Sequence, residues 1–239
     1  MNRKQFISST LILASILFLF SCTSNEIGDS KDVNPDAVFF DYTVLADEDG
    51  QDVTVNLQYR MGGKNGTTLV LTEPSKVMVD GEQLKLDSAK ITGAFYETQK
   101  PLSSFAGKHT ISFTDLNKKE YTEEFEFTPF TLEPNVPAVL ERGDLVFTFK
   151  GLEPVDVLSV TLSDTSFQSA DIMNDTDTVR NGRLVIASHR LSTLVNGPIN
   201  LQLYKEVDKP VKNGTKEGGI LHMRYGLKRQ FELKDAGNL

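Results

Sequence analysis

Alternation of apolar and polar residues is the feature that most constrains the fold of this chain. In several short runs every second residue is apolar, and most of these residues are β-branched, leucine or aromatic: Val53, Val55, Leu57 and Tyr59; Phe125 and Phe127; Leu145, Phe147 and Phe149; Leu158, Val160 and Leu162. A period of two buries one face of a β-strand. No stretch keeps a helical period for long, and residues 188–195 are the best candidate for one short helical turn. The sequence therefore predicts an all-β protein.

Short turn sequences separate the predicted strands. Residues 80–81, Asp-Gly, lie between two strand-like runs and predict a two-residue hairpin, because both residue types tolerate positive φ. Asn-Gly pairs at 65–66, 181–182 and 213–214 occupy similar places, and residues 117–119 fit a further hairpin. Consecutive hairpins are typical of antiparallel sheets.

Prolines divide the predicted strands into two groups. Pro129, Pro134 and Pro137 lie between two strand-rich halves, and proline cannot donate a hydrogen bond within a central strand. We therefore place a first β-sandwich domain at residues 37–130 and a second at residues 131–235. A joint that is short and stiffened by proline predicts a semi-rigid rod.

The first 21 residues have the features of a secretory signal peptide. Arg3 and Lys4 precede an almost wholly apolar run at residues 6–20. This run is short for a membrane span, which needs about 20 residues. Residues 19–22, Leu-Phe-Ser-Cys, resemble the lipobox of bacterial lipoproteins. The resemblance implies cleavage before Cys22, a diacylglyceryl thioether on its sulfur and acylation of its new amino terminus.

Cys22 is the only cysteine, so no intrachain disulfide can form and packing alone must stabilise the fold. Each buried acyl CH₂ contributes about 0.8 kcal/mol, so two or three chains on one residue predict permanent attachment to a membrane. The polar, acidic residues 22–36 predict a flexible tether. In the lipoprotein sorting of enteric bacteria, Thr23 in place of Asp implies the outer membrane, on its periplasmic face or at the cell surface.

The strand pattern of the mature chain resembles tandem immunoglobulin-like β-sandwiches in surface lipoproteins of Gram-negative bacteria. The resemblance covers the whole mature chain and rests on strand spacing, not on a signature. The Cys…Trp…Cys core of antibody domains is absent, since the chain has no Trp. A fibronectin-III-like arrangement fits equally well, and neither fold implies a function by itself.

Charge excludes one class of partner. Removal of the signal peptide takes away Arg3 and Lys4 and no acidic residue, so the formal net charge changes from −8 to −10. An acidic surface repels phosphate backbones. We therefore expect no nucleic acid as a partner.

The residue groupings that support catalysis are not evident. His109, His189 and His222 lack the spacing of a metal site or a proton relay. No Gly-x-Ser-x-Gly and no phosphate-binding glycine loop occurs, and Ser166 has no histidine near it in sequence. We expect a protein that is not an enzyme and that uses no cofactor.

Two clusters of aspartates allow calcium binding as one interpretation: Asp47, Asp49 and Asp52, and Asp171, Asp175 and Asp177. Neither has the twelve-residue EF-hand pattern. Aspartate is also common at hairpin tips, because its side chain favours turns. We prefer the turn interpretation and predict no metal site.

Exposed aromatic rings would provide stacking platforms for sugars. Phe95, Tyr96 and Tyr225 are the candidates for such a platform, with Tyr204 as a further ring. The chain has 15 Phe, 6 Tyr and no Trp, a composition that favours core packing for most rings.

Two short motifs match the Asp-Ser/Thr-apolar acceptor that some Gram-negative bacteria use for O-glycosylation. They place Ser88 and Thr178 at the acceptor position. Chance readily supplies motifs of this length, so the modification of either residue stays open.

Two hypotheses for the function follow. The first is a non-catalytic lipoprotein, anchored in the outer membrane by Cys22, that presents two β-sandwich domains for contact with another envelope protein or for envelope assembly. The second is a glycan-binding accessory lipoprotein of a polysaccharide-uptake system.

Overall fold

A computed structural model describes residues 26–89, 92–164 and 172–237. Within these ranges the chain forms eighteen strands: β1 (Ile27–Asp29), β2 (Val38–Asp47), β3 (Asp52–Met61), β4 (Thr67–Val70), β5 (Lys76–Val79), β6 (Glu82–Gln83), β7 (Leu86–Ala89), β8 (Gly93–Pro101), β9 (Gly107–Thr114), β10 (Glu120–Phe127), β11 (Thr131–Leu132), β12 (Val139–Glu141), β13 (Leu145–Lys150), β14 (Val155–Asp164), β15 (Ile172–Arg180), β16 (Arg183–Ile186), β17 (Gly197–Pro210) and β18 (Gly219–Lys234). The predicted all-β class is confirmed, and the sheets pack as a sandwich.

Helix is limited to short 3-10 turns in the part of the chain that the structure describes: Ser30–Asp32, Pro35–Ala37, Leu102–Ser104 and Ser188–Leu191. The last of these lies within the predicted helical turn at 188–195. No helix in the described ranges is both long and apolar enough to span a membrane.

The predicted hairpin turns adopt the expected backbone. Asp80 and Gly81 join β5 to β6 with φ of 49° and 81°. Asn181 and Gly182 join β15 to β16 with φ of 49° and 72°. Asp, Asn and Gly adopt these positive φ values at the lowest cost, so the two turn predictions are confirmed.

One large sheet extends through both halves of the molecule. Its strand order is β1-β4-β3-β2-β18-β17-β14-β15-β16-β13-β11, with β8 also beside β3, β7 beside β8, and β12 beside β18. A smaller sheet of order β10-β9-β5-β6 packs on the N-terminal half. The halves are therefore joined by strand pairing, and not only by residues 129–137, which contain Pro129, Pro134 and Pro137 and which we call the proline segment.

The longest strands, β17 and β18, form the hairpin that joins the halves. Residues 197–210 pair with residues 220–233 in antiparallel register. The first part of β18, residues 219–226, pairs in parallel with residues 40–47 of β2. On its other edge β17 pairs with β14 of the C-terminal half. The hairpin thus contributes strands to both halves.

The tip of this hairpin is attached to the N-terminal half. Glu123, which is 5% exposed, accepts a hydrogen bond from the Lys212 backbone N–H at 2.8 Å. Asn213 Nδ2 donates to the Thr122 carbonyl at 3.0 Å. The sequence predicts residues 207–226 in the second domain, and the structure places them against the first half. The division after residue 130 otherwise stays a prediction.

The two halves have cores of different composition. Rings dominate the N-terminal half, where the large buried side chains include Phe40, Tyr42, Tyr59, Tyr96, Phe113 and Tyr121. Aliphatic residues dominate the C-terminal half, and those that are almost fully buried include Leu158, Val160, Leu162, Leu184, Ile186, Leu191, Ile199, Leu201 and Leu203. Both cores follow the predicted alternation.

Part of the predicted tether is ordered. β1 pairs in parallel with β4. Ser30 is 5% exposed, and its Oγ accepts the Thr72 backbone N–H at 2.9 Å. The prediction of a flexible tether over residues 22–36 is therefore wrong for residues 26–36, because backbone pairing and one buried hydroxyl attach them to the sheet.

Candidate functional site at the outer junction face

The outer face of the large sheet, where the two halves meet, carries the best candidate site. Alternation directs the apolar residues of β2, β17 and β18 inward and the residues between them outward. The register places Tyr204 opposite Gly226, and Gly226 opposite Asp47. We call this surface the outer junction face and define it by Asp47, Gln202, Tyr204, Glu206, Arg224, Gly226 and Lys228.

Gly226 forms the floor of this face. A Cβ atom at position 226 would lie 2.4 Å from Cε1 of Tyr204 and 2.5 Å from Oδ1 of Asp47. Only glycine leaves room for a ring and a carboxylate this close to the strand backbone. The Tyr204 ring therefore packs directly on the sheet, and its position is fixed.

Arg224 lies over the Tyr204 ring. Its guanidinium carbon is 5.0 Å from the ring centroid, within the range of a cation–π interaction. Among the described residues, Nε of Arg224 and Oδ1 of Asp47 are buried without a hydrogen-bond partner. Such atoms cost about 1–3 kcal/mol each. A partner that supplies a donor for Asp47 and an acceptor for Arg224 would satisfy both atoms, so we take this face as the candidate site.

Lys228 supplies positive charge beside the aspartates at the end of β2. Its Nζ lies 3.2 Å from Oδ2 of Asp47 and 3.6 Å from Oδ1 of Asp49. The hydrogen bond to Asp47 raises the pKa of Lys228, and the charges of both aspartates act in the same direction. Two of the three aspartates in this cluster therefore have an ammonium group as their neighbour.

The inner side of the junction fixes the relation between the halves. Tyr225 packs against Phe127 and Phe130, with ring centroids 6.0 and 5.4 Å apart. Phe130 packs in turn against Phe149 of β13 at 5.8 Å. Burial raises the pKa of Tyr225 to about 12. This row of four rings connects the last strand of the first half, the proline segment and the second half.

Arg229 strengthens the same junction. Its Nη2 lies 3.1 Å from Oε1 of Glu48, and its Nε donates to Oδ1 of Asn135 at 2.7 Å. The hydrogen bond to Glu48 raises the pKa of Arg229. Glu48 follows β2 and Asn135 belongs to the proline segment, so one guanidinium binds both sides of the junction.

Two of the three rings predicted as a glycan platform are in the core. Tyr96 is 4% exposed and Tyr225 is 6% exposed. The hydroxyl of Tyr96 accepts the Leu71 backbone N–H at 2.7 Å. An exposed platform at Tyr96 or Tyr225 is therefore wrong, because alternation directs both rings inward. Phe95 is half-buried and, as the neighbour of Tyr96 on β8, points to the opposite face.

The second aspartate cluster also has a basic neighbour. Arg190 Nη1 donates to both carboxylate oxygens of Asp177 at 2.8 Å, and its Nη2 donates to Asp175 at 2.9 Å. Asp171 lies outside the described residues. Over the part of the chain that the structure describes, no group of three or more His, Cys, Asp or Glu side chains is arranged to hold a metal ion.

The histidines lie in separate local contacts. His109 stacks on Phe105 with ring centroids 3.8 Å apart, and its Nδ1 and Nε2 lie 2.8 Å from Asp80 Oδ2 and 2.6 Å from the Phe105 carbonyl. Nδ1 of His222 lies 2.5 Å from Oδ1 of Asp208. These contacts link a hairpin turn to a loop in the first case and neighbouring strands in the second.

The structure describes two of the predicted modification sites, Ser88 and Thr178, but not the third, Cys22. Ser88 on β7 and Thr178 on β15 are exposed, so both hydroxyl-bearing residues are accessible and their glycosylation stays a prediction. Cys22 lies outside the described residues, as do the signal peptide and Ser166.

No protein-family model and no curated protein matches this chain. Among solved structures, the chain is similar to the crystal structure of DIP-gamma IG1+IG2, with a TM-score of 0.23 and 12% identity over 82% of this chain and 95% of that chain. It is also similar to the crystal structure of Dpr11 IG1 bound to DIP-gamma IG+IG2, with a TM-score of 0.22 and 13% identity over 82% and 96%. At these TM-scores the likeness carries no argument about function.

The sequence did not predict the outer junction face. One signal was present, since Gly226 takes an outward position within an otherwise regular alternation. The missing information was the parallel pairing of β18 with β2, which brings Lys228 to Asp47 across 181 positions. No local pattern encodes that pairing.

Proposed function

We propose that this chain is a non-catalytic, lipid-anchored lipoprotein of a bacterial envelope that binds another envelope protein through its outer junction face. The anchor is the lipid on Cys22 that the lipobox resemblance implies. The folded part is one body, because the β17–β18 hairpin and the row of rings at Tyr225 connect its halves. A rigid face gives up little conformational entropy on binding.

The Tyr204–Arg224 pair is the observation that carries this proposal. Tyrosine and arginine are enriched among the residues that contribute most to protein–protein affinity, and these act best when neighbouring contacts hold them in place. Gly226 positions the ring and the ring positions the guanidinium. The opposite charges of Asp47 and Lys228 on the same face supply a pattern that a partner can match.

In-cell photocrosslinking tests the contact. A photoreactive side chain at Gln202 is expected to give one discrete adduct with an envelope protein. Replacing Tyr204 by Ala in the same protein is expected to reduce the adduct at least tenfold, because truncation of a central anchor costs about 2 kcal/mol or more. The matched control places the photoreactive group at Glu126, which is exposed on β10. Equal adducts from both positions, or none from Gln202, would contradict the proposal.

The anchor is tested separately. We expect the mature protein to fractionate with outer membranes and its amino-terminal peptide to carry the mass of a lipidated cysteine. The Cys22→Ala variant should be released or left unprocessed. An unmodified Cys22 sulfur in the native protein would exclude the anchor. It would not affect the proposal that the outer junction face binds a partner.

A glycan array distinguishes the second hypothesis. The rings of Tyr96 and Tyr225 are buried, so we expect no specific glycan binding by the intact chain. Binding that disappears in the Phe95→Ala variant would favour the accessory lipoprotein of a polysaccharide-uptake system instead.

A further inference from the structure

A second surface of the C-terminal half has the features of a peptide-binding groove. The groove has a volume of about 260 Å³ and lies between the proline segment, β12 and β13. Most of its lining is apolar and includes Pro134, Val136, Pro137, Leu140, Val146 and Phe147. We call it the β13 groove. It lies among strands of the second half that form no part of the outer junction face.

The groove exists because one edge of β13 is only partly covered. On that side β11 pairs with β13 at two positions, Thr131 with Lys150 and Leu132 with Phe149. Pro134 has no N–H group and cannot continue this ladder. The chain therefore leaves β13 at this point, and the edge of β13 before residue 148 stays open among the described residues.

The backbone of Val146 points into this opening. The Glu133 N–H donates to the Thr148 carbonyl at 2.8 Å on the β11 side, and the Phe149 N–H donates to the Gly182 carbonyl at 2.7 Å on the β16 side. Backbone groups alternate between the two edges of a strand. The N–H and C=O of Val146 therefore face the β11 side, beyond the end of β11.

The chemistry of the groove specifies what it would bind. Val146, which lines the groove on its exposed side, is 45% exposed. Large exposed apolar residues that adjoin an open strand edge are typical of binding sites. Glu141 and Asp144 add two carboxylates to the lining, which contains no cation.

We propose that the β13 groove binds an extended segment of a partner protein, added as a strand antiparallel to β13, with apolar residues at alternate positions and a Lys or Arg at its carboxyl end. Main-chain hydrogen bonds to Val146 provide affinity, and the apolar lining and carboxylates select the sequence. An antiparallel strand that continues the course of β11 reaches Asp144 and Glu141 with its carboxyl end. This inference goes beyond the contact proposed at the outer junction face and concerns a separate surface.

Peptide binding to the purified mature chain tests the proposal. The probe is the peptide Val-Thr-Val-Thr-Val-Lys with blocked ends, and matched peptides carry Glu in place of Lys or Pro in place of the central Val. We expect calorimetry to show saturable binding of the first peptide, and binding at least tenfold weaker for each of the other two. Equal binding of all three peptides, or no binding, would overturn the proposal.

Two variants locate the site. Val146→Pro removes an N–H donor that points to the open edge and replaces one apolar side chain of the lining by another. We therefore expect at least a tenfold loss of peptide affinity, with a thermal unfolding midpoint within a few degrees of wild type. Glu141→Lys leaves Asp144 as the only carboxylate of the lining and neutralises its charge, so the preference for the Lys peptide over the Glu peptide should disappear. Val185→Thr, on the same exposed face but away from the edge, is the matched control and should keep wild-type affinity.

Two further outcomes separate this inference from its alternatives. Sedimentation distinguishes the two occupants of the groove. If wild type is a dimer and Val146→Pro is a monomer, the groove binds a second copy of this chain, and the proposal of a different partner protein is wrong. If the photoreactive group at Gln202 forms its adduct but the peptide does not bind, the groove proposal is wrong and the outer junction face is unaffected. If the peptide binds but Gln202 gives no adduct, the proposal that the outer junction face binds a partner is wrong instead.

Discussion

The N-terminal half and the C-terminal half solve the same packing problem with different side chains. The first fills the space between its sheets with rings, such as Phe40 and Tyr59, whose centroids are 5.4 Å apart. The second fills its interior mainly with aliphatic residues such as Leu158 and Leu201. Alternation therefore determines which face of a strand is buried, whereas the size and shape of the buried residues are set separately in each half.

The difference matters because both cores rest on one hairpin. Leu221 and Met223 of β18 are buried with the rings, and Leu201 and Leu203 of β17 are buried with the aliphatic residues. A disturbance in either core is thus expected to reach the other through a continuous pair of strands. Substitutions that damage one core at a time show whether the two halves act as one unit.

The largest effect is expected in the aromatic core. Phe40 is fully buried and contacts four other rings. Phe40→Ala should lower the free energy of unfolding by about 3–5 kcal/mol, because it removes apolar contacts and leaves a cavity. Chemical denaturation measures this loss. Phe39→Ala, on the outward face of the same strand, is the control, and an equal loss there would refute the assignment of the core.

A similar or somewhat smaller effect is expected in the aliphatic core. Leu158→Ala should lower the free energy of unfolding by about 2–5 kcal/mol, since Leu158 is fully buried on β14. Its neighbour Val157 is 48% exposed, and Val157→Ala should cost less than about 1 kcal/mol. Hydrogen exchange in which Leu158→Ala accelerates only the amides of the second half would show that the cores are independent.

The attachment of the hairpin tip to the first half should contribute less to the free energy of unfolding. Glu123→Ala removes the acceptor of the Lys212 N–H, and we expect a loss of about 1.5–3 kcal/mol, the range for a hydrogen bond to a charged group. Glu124→Ala is the control, because Glu124 is exposed on the same strand. The hydrogen exchange of the Lys212 amide should accelerate in the first variant alone.

The smallest effect on stability is expected at alkaline pH, where buried tyrosines of the first half and the junction titrate. Burial raises the pKa of Tyr42, Tyr59 and Tyr96, and raises that of Tyr225 to about 12. Residues 131–203 contain no tyrosine. A raised pKa contributes stability below the unfolded-state value of about 10, and this stability is lost as the pH rises through the folded-state value.

Alkaline destabilisation should therefore begin in the first half and at the junction. Unfolding midpoints measured at increasing pH should fall above about pH 10, and the fall between about pH 10 and 12 should be smaller in the Tyr225→Phe variant. Tyrosinate absorbance follows the same titration. An identical pH dependence of the variant and wild type would show that the Tyr225 hydroxyl does not contribute.

The parts of the fold that depend on neighbouring residues were predictable from sequence. Alternation identified the main strands and the residue types identified the Asp80-Gly81 turn, because both follow from local backbone preferences. The parallel pairing of β18 with β2 was not predictable, since it joins distant segments and leaves no local pattern. For the same reason the placement of the hairpin tip in the first half and the inward direction of Tyr225 were missed.

The candidate site was harder to predict from the sequence than the fold. Tyr204 was noted as one ring among several, but its contact with Gly226 depends on the register of β17 with β18. The open edge of β13 similarly depends on where the chain leaves β13, which is after Glu133. Prolines in the sequence predicted an edge or joint in this region, and the structure shows which strand edge they leave open.

Hydrogen exchange of the mature protein in increasing denaturant most directly tests whether the shared hairpin makes the two halves one unit. Amides of β3 report on the aromatic core and amides of β14 on the aliphatic core. If the account is right, both sets lose protection at the same denaturant concentration, in wild type and in the Phe40→Ala variant. Loss of protection in one half while the other stays protected would contradict it.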